Sequence, residues 1–348
     1  MSHLLILNYS MDENSPALAH QIEVTRKLSA HFDRITVLTG FRGEGSTPSN
    51  VEVVSSKWLP GHAFHNAFNF LRLALRLIRR TKPDVIFSHM THIQSALLLP
   101  FSRFRRIPHF LWYAHASSSL ALRWDYLLAD KVLTSTKGSF PFTGKNLICI
   151  GQAVDKTLFF NHVRKNPPVK FMHYGRFDVS KRIAEIIEVA EFAHGLDRNI
   201  SLTICGSPSN AKSKSAADHV VSINQRNIEL GWLSFIEAIP RRQIPEWLNG
   251  FDVLLHAFQG SLDKVLIESV IAGLTVVTIN AEFISEFGSW GQYSNDEKIT
   301  LKSELVSMMS LDAQARYEFN SIRQNHALKS HTESRWIQNV RDILISAV

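Results

Sequence analysis

Short, unbroken apolar runs recur along the whole chain, each followed by a stretch of helical periodicity, and this alternation restricts the fold more than any other feature. The runs are Leu4–Asn8, Ile35–Thr39, Val51–Ser55, Val85–His89, His109–Ala114, Lys131–Thr134 and Asn146–Ile150 in the first half. Val169–Tyr174, Ser201–Cys205, Leu233–Glu237, Val253–Ala257 and Thr275–Ile279 follow in the second. Many are continuous in Val, Ile and Leu rather than alternating with polar residues, which is the pattern of a strand covered on both faces of a parallel sheet. Strand–helix–strand repetition of this kind predicts an α/β fold with right-handed crossovers.

At 348 residues the chain is long enough for two domains with separate cores. The polar segment Asn161–Pro168, NHVRKNPP, interrupts two well-patterned regions and is the expected boundary. The expected division is 1–160, 161–330 and a closing segment 331–348, in which Trp336, Val340, Ile343 and Leu344 predict a helix over Glu333–Ser346 that returns to the first domain. Two Rossmann-like domains in tandem would bind a ligand in a cleft at the carboxyl ends of their strands.

The hydrophobic fraction of 45% and charged fraction of 20% are those of a globular protein, and no apolar run reaches the ~20 residues of a membrane span. The N-terminus lacks the features of a signal peptide. Cys149 and Cys205 each lie in an apolar run and read as buried free thiols in a reducing cytoplasm. The net charge of +7 is unevenly placed: up to residue 160 there are 18 Lys and Arg against 10 Asp and Glu, and beyond it 20 against 21. The first half therefore suits an anionic partner, such as a lipid headgroup, a lipid-linked phosphate or a polyanion. No nucleic-acid-binding motif accompanies the charge, so no nucleic-acid partner is expected.

Two segments carry chemistry. In Val169–Arg182, VKFMHYGRFDVSKR, a strand ends at Gly175 and a compact turn holds Arg176 and Lys181. A guanidinium fork and an ammonium there suit a diphosphate, or else are solvated charges flanking a loop. In Gly260–Val277, GSLDKVLIESVIAGLTVV, a loop leads into an apolar helix with one carboxylate, Glu268, and then into a strand. A lone buried acid is costly without a partner, and a ligand rich in hydroxyl donors, such as a sugar nucleotide, would supply one.

In this order GRFDVSK, LTICGS, FDVLLHAF and DKVLIESVIAGLTVV resemble the GT-B-fold retaining glycosyltransferases of family 4, with their G-R-x4-K loop, E-x7-E segment and following A-x-G-x-x-V-V strand. IGQAVDKTLF at Ile150–Phe159 is similar to that family's interdomain element. The resemblance covers nearly the whole chain and implies a GT-B fold, two Rossmann-like domains facing across a cleft. It implies a metal-independent, retaining, hexosyl-type transferase that uses a nucleotide-diphosphate sugar such as a GDP- or UDP-sugar, with no cofactor. Arg176 and Lys181 would hold the diphosphate, the backbone around Leu262, Asp263 and Lys264 would favour phosphate at a helix start, and Glu268 would accept the ribose hydroxyls. His115, ending the run HFLWYAH, would lie near the transferred sugar, as a catalytic residue with Arg176 and Lys181.

The chain departs from that pattern at Gly260, where the first glutamate of E-x7-E is expected, so recognition of the donor sugar must differ. Asp263 and Lys264 stand nearby as substitutes, or as an ordinary helix cap. The first loop reads NYSMDENSPALAHQ in place of a glycine-rich one, which makes Asn14, Ser15 and His20 the acceptor-side candidates. Phe64–Arg80 predicts an amphipathic helix with His65, Asn69, Arg72, Arg76 and Arg79 on one face and Phe, Leu and Ile on the others. Arg103, Arg105 and Arg106 beside Phe101 and Phe104 add a second basic cluster. Such surfaces suit either a peripheral protein on the inner face of an anionic membrane or a plain solvated face. No metal site is expected, because His89 and His92 have ligand spacing but no acidic or cysteine cluster beside them. Transfer to a glycan or lipid-linked acceptor in cell-surface polysaccharide assembly, lipopolysaccharide or capsule, is the expected activity. Two alternatives stand beside it: a non-catalytic homologue acting as a scaffold, and a sugar-nucleotide isomerase or hydrolase on the same fold.

Overall fold

The computed structural model describes residues 2–15, 18–165, 167–291 and 299–348, and in it every one of these apolar runs is a strand. β1 (His3–Met11), β2 (Arg34–Arg42), β3 (Val51–Ser55), β4 (Val85–His89), β5 (His109–Trp112), β6 (Lys131–Thr134) and β7 (Leu147–Cys149) form one sheet in the order β3-β2-β1-β4-β5-β6-β7. β8 (Lys170–Tyr174), β9 (Ser201–Cys205), β10 (Leu233–Ile236), β11 (Val253–His256) and β12 (Thr275–Thr278) form a second in the order β10-β9-β8-β11-β12. Pairing within both sheets is parallel; Leu5, for example, lies opposite Thr36 on one side and Ile86 on the other. In each sheet the strand order reverses once, between β1 and β4 and between β8 and β11. Such a reversal opens a crevice at the strands' carboxyl ends, because the helices that follow leave on opposite faces.

The chain divides into two compact units, residues 1–151 with 334–348, and residues 152–333. The division thus falls before the Pro-containing segment at 161–168. Val154 and Phe159 are buried in the second unit's core, and Val154 forms a parallel bridge with Thr332, so the residues from Gln152 onward belong to that unit. The last helix, Glu333–Ile345, buries Trp336 against Phe87, His89 and Trp112 of the first unit. In the second unit Phe171, Leu255 and Val277 pack one face of the sheet, while Met172, Leu254 and Val276 pack the other, which is why these strands read as unbroken apolar runs.

One expectation is corrected. Cys149 is exposed, because β7 is an edge strand with half-open flanks; Cys205 is buried. The helix Ala63–Thr81 turns Phe70, Ala74, Leu77 and Ile78 inward but leaves Phe64 (94% exposed) and Phe68 (69%) in solvent, so its aromatic residues do not all serve the core. Gly273 ends the second unit's central helix at φ +75, and a Cβ there would lie 2.3 Å from the His162 carbonyl oxygen. Only glycine meets both the left-handed backbone and that close approach.

Candidate functional site

The reversal between β8 and β11 gathers the second unit's functional groups. β8 ends in His173 and Tyr174, the loop Gly175–Asp178 follows, and Lys181 closes a short 3-10 turn before the helix Ile183–Leu196. β11 ends in His256, and a loop through Phe258 and Gly260 runs to Asp263, the N-cap of the helix Lys264–Ile271. Asn280, fully buried, donates its amide to the carbonyls of Phe258 (3.1 Å), Gly260 (3.4 Å) and Ser261 (3.2 Å), and so holds this loop from beneath. A lone asparagine after an apolar strand gave no signal of that task.

Arg176 and Lys181 occupy unlike places. The Arg176 side chain is 72% exposed, with Asp178 3.4 Å from its Nε. Lys181 is buried, its ammonium paired with Asp263 and seated 4.2 Å from the centre of the Phe258 ring. Asp263 also faces His256 Nε2 at 3.3 Å, and Thr278 Oγ1 lies 2.9 Å from His256 Nδ1. Burial alone would raise the Asp263 carboxyl, but the His256 hydrogen bond and the Lys181 charge outweigh it and hold the pKa far below the usual range. His256 is kept neutral by burial, so it donates from Nε2 to Asp263 while Nδ1 accepts from Thr278. Beneath them His173, pushed down to about 3 by burial, donates Nδ1–H to the Leu255 carbonyl (2.9 Å), which leaves Nε2 as a buried acceptor with no hydrogen-bond partner.

Glu268 is not alone. It is 1% exposed; one oxygen is ion-paired with Arg241, and the other accepts from the Tyr174 hydroxyl at 3.0 Å. Arg241 lies far from Glu268 in sequence, after β10, so no local pattern could reveal the pair. Lys264 opens the same helix. Burial pushes its pKa down to about 8, and the Arg241 charge pushes the same way. The backbone at Leu262–Lys264 is partly committed: the Leu262 carbonyl accepts from Gln152 Nε2 (2.8 Å), and the Asp263 side chain caps the Val265 amide (3.4 Å). At Gly260 a Cβ would lie 2.5 Å from the Phe258 ring. The missing glutamate is therefore a packing matter as well, since any side chain there would displace the ring that covers Lys181.

In the first unit His115 is exposed beyond β5 and packs edge-on to Tyr113 (ring centres 5.7 Å apart), which in turn meets His92 (5.2 Å). Sequence reasoning singled out His115 and assigned nothing to Tyr113. Burial lowers the His92 pKa, and His115 lowers it further. His20 opens the helix after β1 and meets His89 at the end of β4 (5.5 Å), so these two rings straddle the reversal of the first sheet. Asn14 spends its amide on Glu44 (3.0 Å), and the Ser15 hydroxyl accepts from the Leu18 amide (3.2 Å); both hold the loop in shape.

Among the described residues one His/Glu group has metal-ligand spacing, Glu286 with His326 and His331. The Gln152 amide donates to His331 Nδ1 at 3.0 Å, which puts the ring's proton on Nε2, the atom that faces Glu286 at 3.5 Å. A metal at that atom would have to displace the proton from a ring whose other nitrogen is already accepting. The group reads as a clasp in which His326 hydrogen-bonds Glu286 at 2.9 Å and His331 faces it, and the Glu286 carboxyl is held down at about 2, first by His331 and then by His326, against burial.

Two Rossmann-like sheets, each with its reversal and a set of polar groups at the carboxyl ends, define the GT-B fold of glycosyltransferases. Solved structures share it along the full chain. Anabaena HepE in complex with UDP and glucose is similar at a TM-score of 0.70 and 15% identity, covering 99% of each chain. Sucrose-phosphate synthase from Thermosynechococcus elongatus is similar at 0.73 and 11%, covering 100% of each. The lipopolysaccharide outer core galactosyltransferase WaaB is similar at 0.69 and 11%, covering 99% of this chain and 100% of its own. No family model matches the sequence, and no curated protein matches it.

Proposed function

We propose that the chain is a metal-independent, retaining glycosyltransferase that moves a hexosyl group from a nucleotide-diphosphate sugar to a glycan or lipid-linked acceptor in cell-surface polysaccharide assembly. The observation that carries this reading is the grouping of Lys181 and Lys264 around Asp263 and Glu268 at the strand-order reversal of the second sheet, with Arg176 exposed on the loop that follows β8. Cations there suit a diphosphate, and a buried carboxylate suits a diol. HepE, on the same fold, binds UDP and UDP-glucose. In the reaction the acceptor hydroxyl attacks the face from which the diphosphate leaves, a leaving-group oxygen takes the acceptor's proton, and Arg176 and Lys181 hold the growing charge. By resemblance, His115 would serve the transferred sugar, and His20 is the acceptor-side candidate.

Arg176 is the cleaner probe of the two cations, because its exposed side chain supports no packing. Arg176→Ala is expected to keep the wild-type melting temperature and to lower transfer from UDP- or GDP-sugars by about 10²–10³-fold. Full activity in that variant removes the diphosphate role. A second reading, a non-catalytic scaffold, is favoured by one observation: Lys181 and Glu268 are each closed by an internal ion pair. Calorimetry with UDP, GDP and ADP, followed by product analysis with a bound donor, separates transferase, scaffold and hydrolase.

We also propose peripheral attachment to the inner face of an anionic membrane, with the protein cytoplasmic. No helix of the described residues is long and apolar enough to cross a membrane. The first unit exposes Phe64 and Phe68 on the helix that carries Arg72, Arg76, Arg79 and Arg80, and exposes Phe104 (85%) beside Arg103, Arg105 and Arg106. Aromatic wedges among arginines suit anionic headgroups. Co-sedimentation with phosphatidylglycerol vesicles is expected in 50 mM salt, lost with phosphatidylcholine and reduced in Phe64→Ser/Phe68→Ser; equal binding to both lipids refutes it.

A further inference from the structure

The carboxylate to which the proposed function gives the ribose, Glu268, is covered by Arg241. Its helix surrounds it with Leu266, Ile267, Val270 and Ile271, all buried, and its two hydrogen-bonding partners reach it from other segments. Tyr174 comes from β8, is itself buried, and holds one oxygen from below. Arg241 comes from the Arg241–Gln243 turn after β10, and its side chain is 46% exposed while that of Glu268 is 1% exposed. The guanidinium is therefore the solvent-side face of the pair. The guanidinium also lies over the Phe159 ring, 5.7 Å away, a weak seat.

One repulsion opposes the closed pair. Lys264 stands on the same helix start and is repelled by Arg241, while Glu268 and Glu333 attract both cations. A vicinal diol can donate two hydrogen bonds to one carboxylate without adding a third cation. It can thus replace the guanidinium on Glu268 and relieve the repulsion at Lys264.

We propose that Arg241 is a latch: it occupies the Glu268 carboxylate until the 2′,3′-diol of a nucleotide's ribose takes its place, so that the apparent affinity of every ribonucleotide includes the cost of releasing Arg241. This rests on the nucleotide-sugar reading of the same site. It makes Arg241 a competitor of the ribose, the opposite of a residue that binds the ligand.

The test uses calorimetry on the full chain. Wild type is titrated with UDP, GDP and ADP, then with the nucleoside of whichever diphosphate binds and with that nucleoside's 2′,3′-dideoxy analogue. The same nucleosides are titrated into Arg241→Gln and Arg241→Ala. Arg241→Gln keeps a neutral donor near Glu268 and serves if the alanine variant fails to fold. The latch predicts that the ribonucleoside binds about tenfold tighter to the variants than to wild type, with the dideoxy affinity unchanged. Equal or weaker ribonucleoside binding in a folded Arg241→Gln protein overturns the latch alone. Wild type that binds none of the three diphosphates takes down the latch and the nucleotide reading together. A gain shared by the dideoxy analogue overturns the diol as the displacing group.

Discussion

Asp263→Ala is expected to cost about 3–5 kcal/mol of unfolding free energy, the range for stranding one partner of a buried ion pair. The side chains of Lys181 and Asp263 are only 11% and 17% exposed, so water replaces little of what the carboxylate gave. The substitution leaves the Lys181 ammonium beside Phe258 and two histidines that burial keeps neutral, and it removes the N-cap of the helix Lys264–Ile271. Lys181→Met is expected to cost less, because Asp263 keeps the His256 and Val265 donors. Urea denaturation of both single variants and of the double variant checks the pairing: a double that costs no more than Asp263→Ala alone marks the pair as coupled, and strict additivity refutes the coupling. The pH dependence has a definite sign. The folded pKa of Asp263 is depressed, so its contribution is present above the ordinary carboxylate range near 4 and is lost as pH falls below it. The acid limb of the wild-type stability curve should therefore be steeper than that of Asp263→Ala.

The fold was legible because its information is local. Each strand is a run of a few Val, Ile and Leu residues, and each of the twelve runs forms a strand. The site was legible only in part, because its pairings are not local. Lys181, Asp263 and Glu268 were singled out, yet the partners of Glu268 come from distant segments, Arg241 from the turn after β10 and Tyr174 from β8, and His256 meets Asp263 from the end of β11. An acid amid apolar residues tells that a partner is needed, and periodicity cannot say from where. Gly260 shows the same limit. Its sequence meaning was an absent glutamate, whereas its structural meaning is the Phe258 ring two residues earlier, folded back over the loop onto Lys181. Asn14 and Ser15 stood in a loop expected to face an acceptor, and their side chains are spent on holding that loop.

Asp125→Asn is expected to remove a decline in stability above neutral pH, and to stabilise the protein by about 1–2 kcal/mol at pH 8 relative to pH 6.5. Asp125 lies on the helix Leu120–Leu128, fully buried, with neither carboxyl oxygen in hydrogen-bond geometry. Burial pushes its pKa up to about 8 against a downward pull from the Ser95 hydroxyl. The folded state thus keeps a proton that the unfolded chain releases near pH 4, so the acid's contribution is full below about 4 and fades as pH rises to 8, by about 1.4 kcal/mol per unit. A neighbour works the other way. His109 is fully buried, its ring nitrogens shared among Ser88, Ser95 and Ser102, and burial lowers its pKa to about 3. The unfolded chain binds that proton from about 6.5 downward, so His109 costs stability as pH falls from 6.5 towards 3. Between pH 4 and 6.5 the two slopes oppose each other and nearly cancel. From 6.5 to 8 the folded His109 is neutral and the unfolded chain releases the half proton it still holds at 6.5, so the offset fades and Asp125 sets the larger slope. Urea denaturation of wild type and Asp125→Asn at pH 6.5 and pH 8 isolates this window. Wild type should lose stability across it while the variant holds, and parallel changes in the two proteins would show that Asp125 is ionised in the folded state throughout.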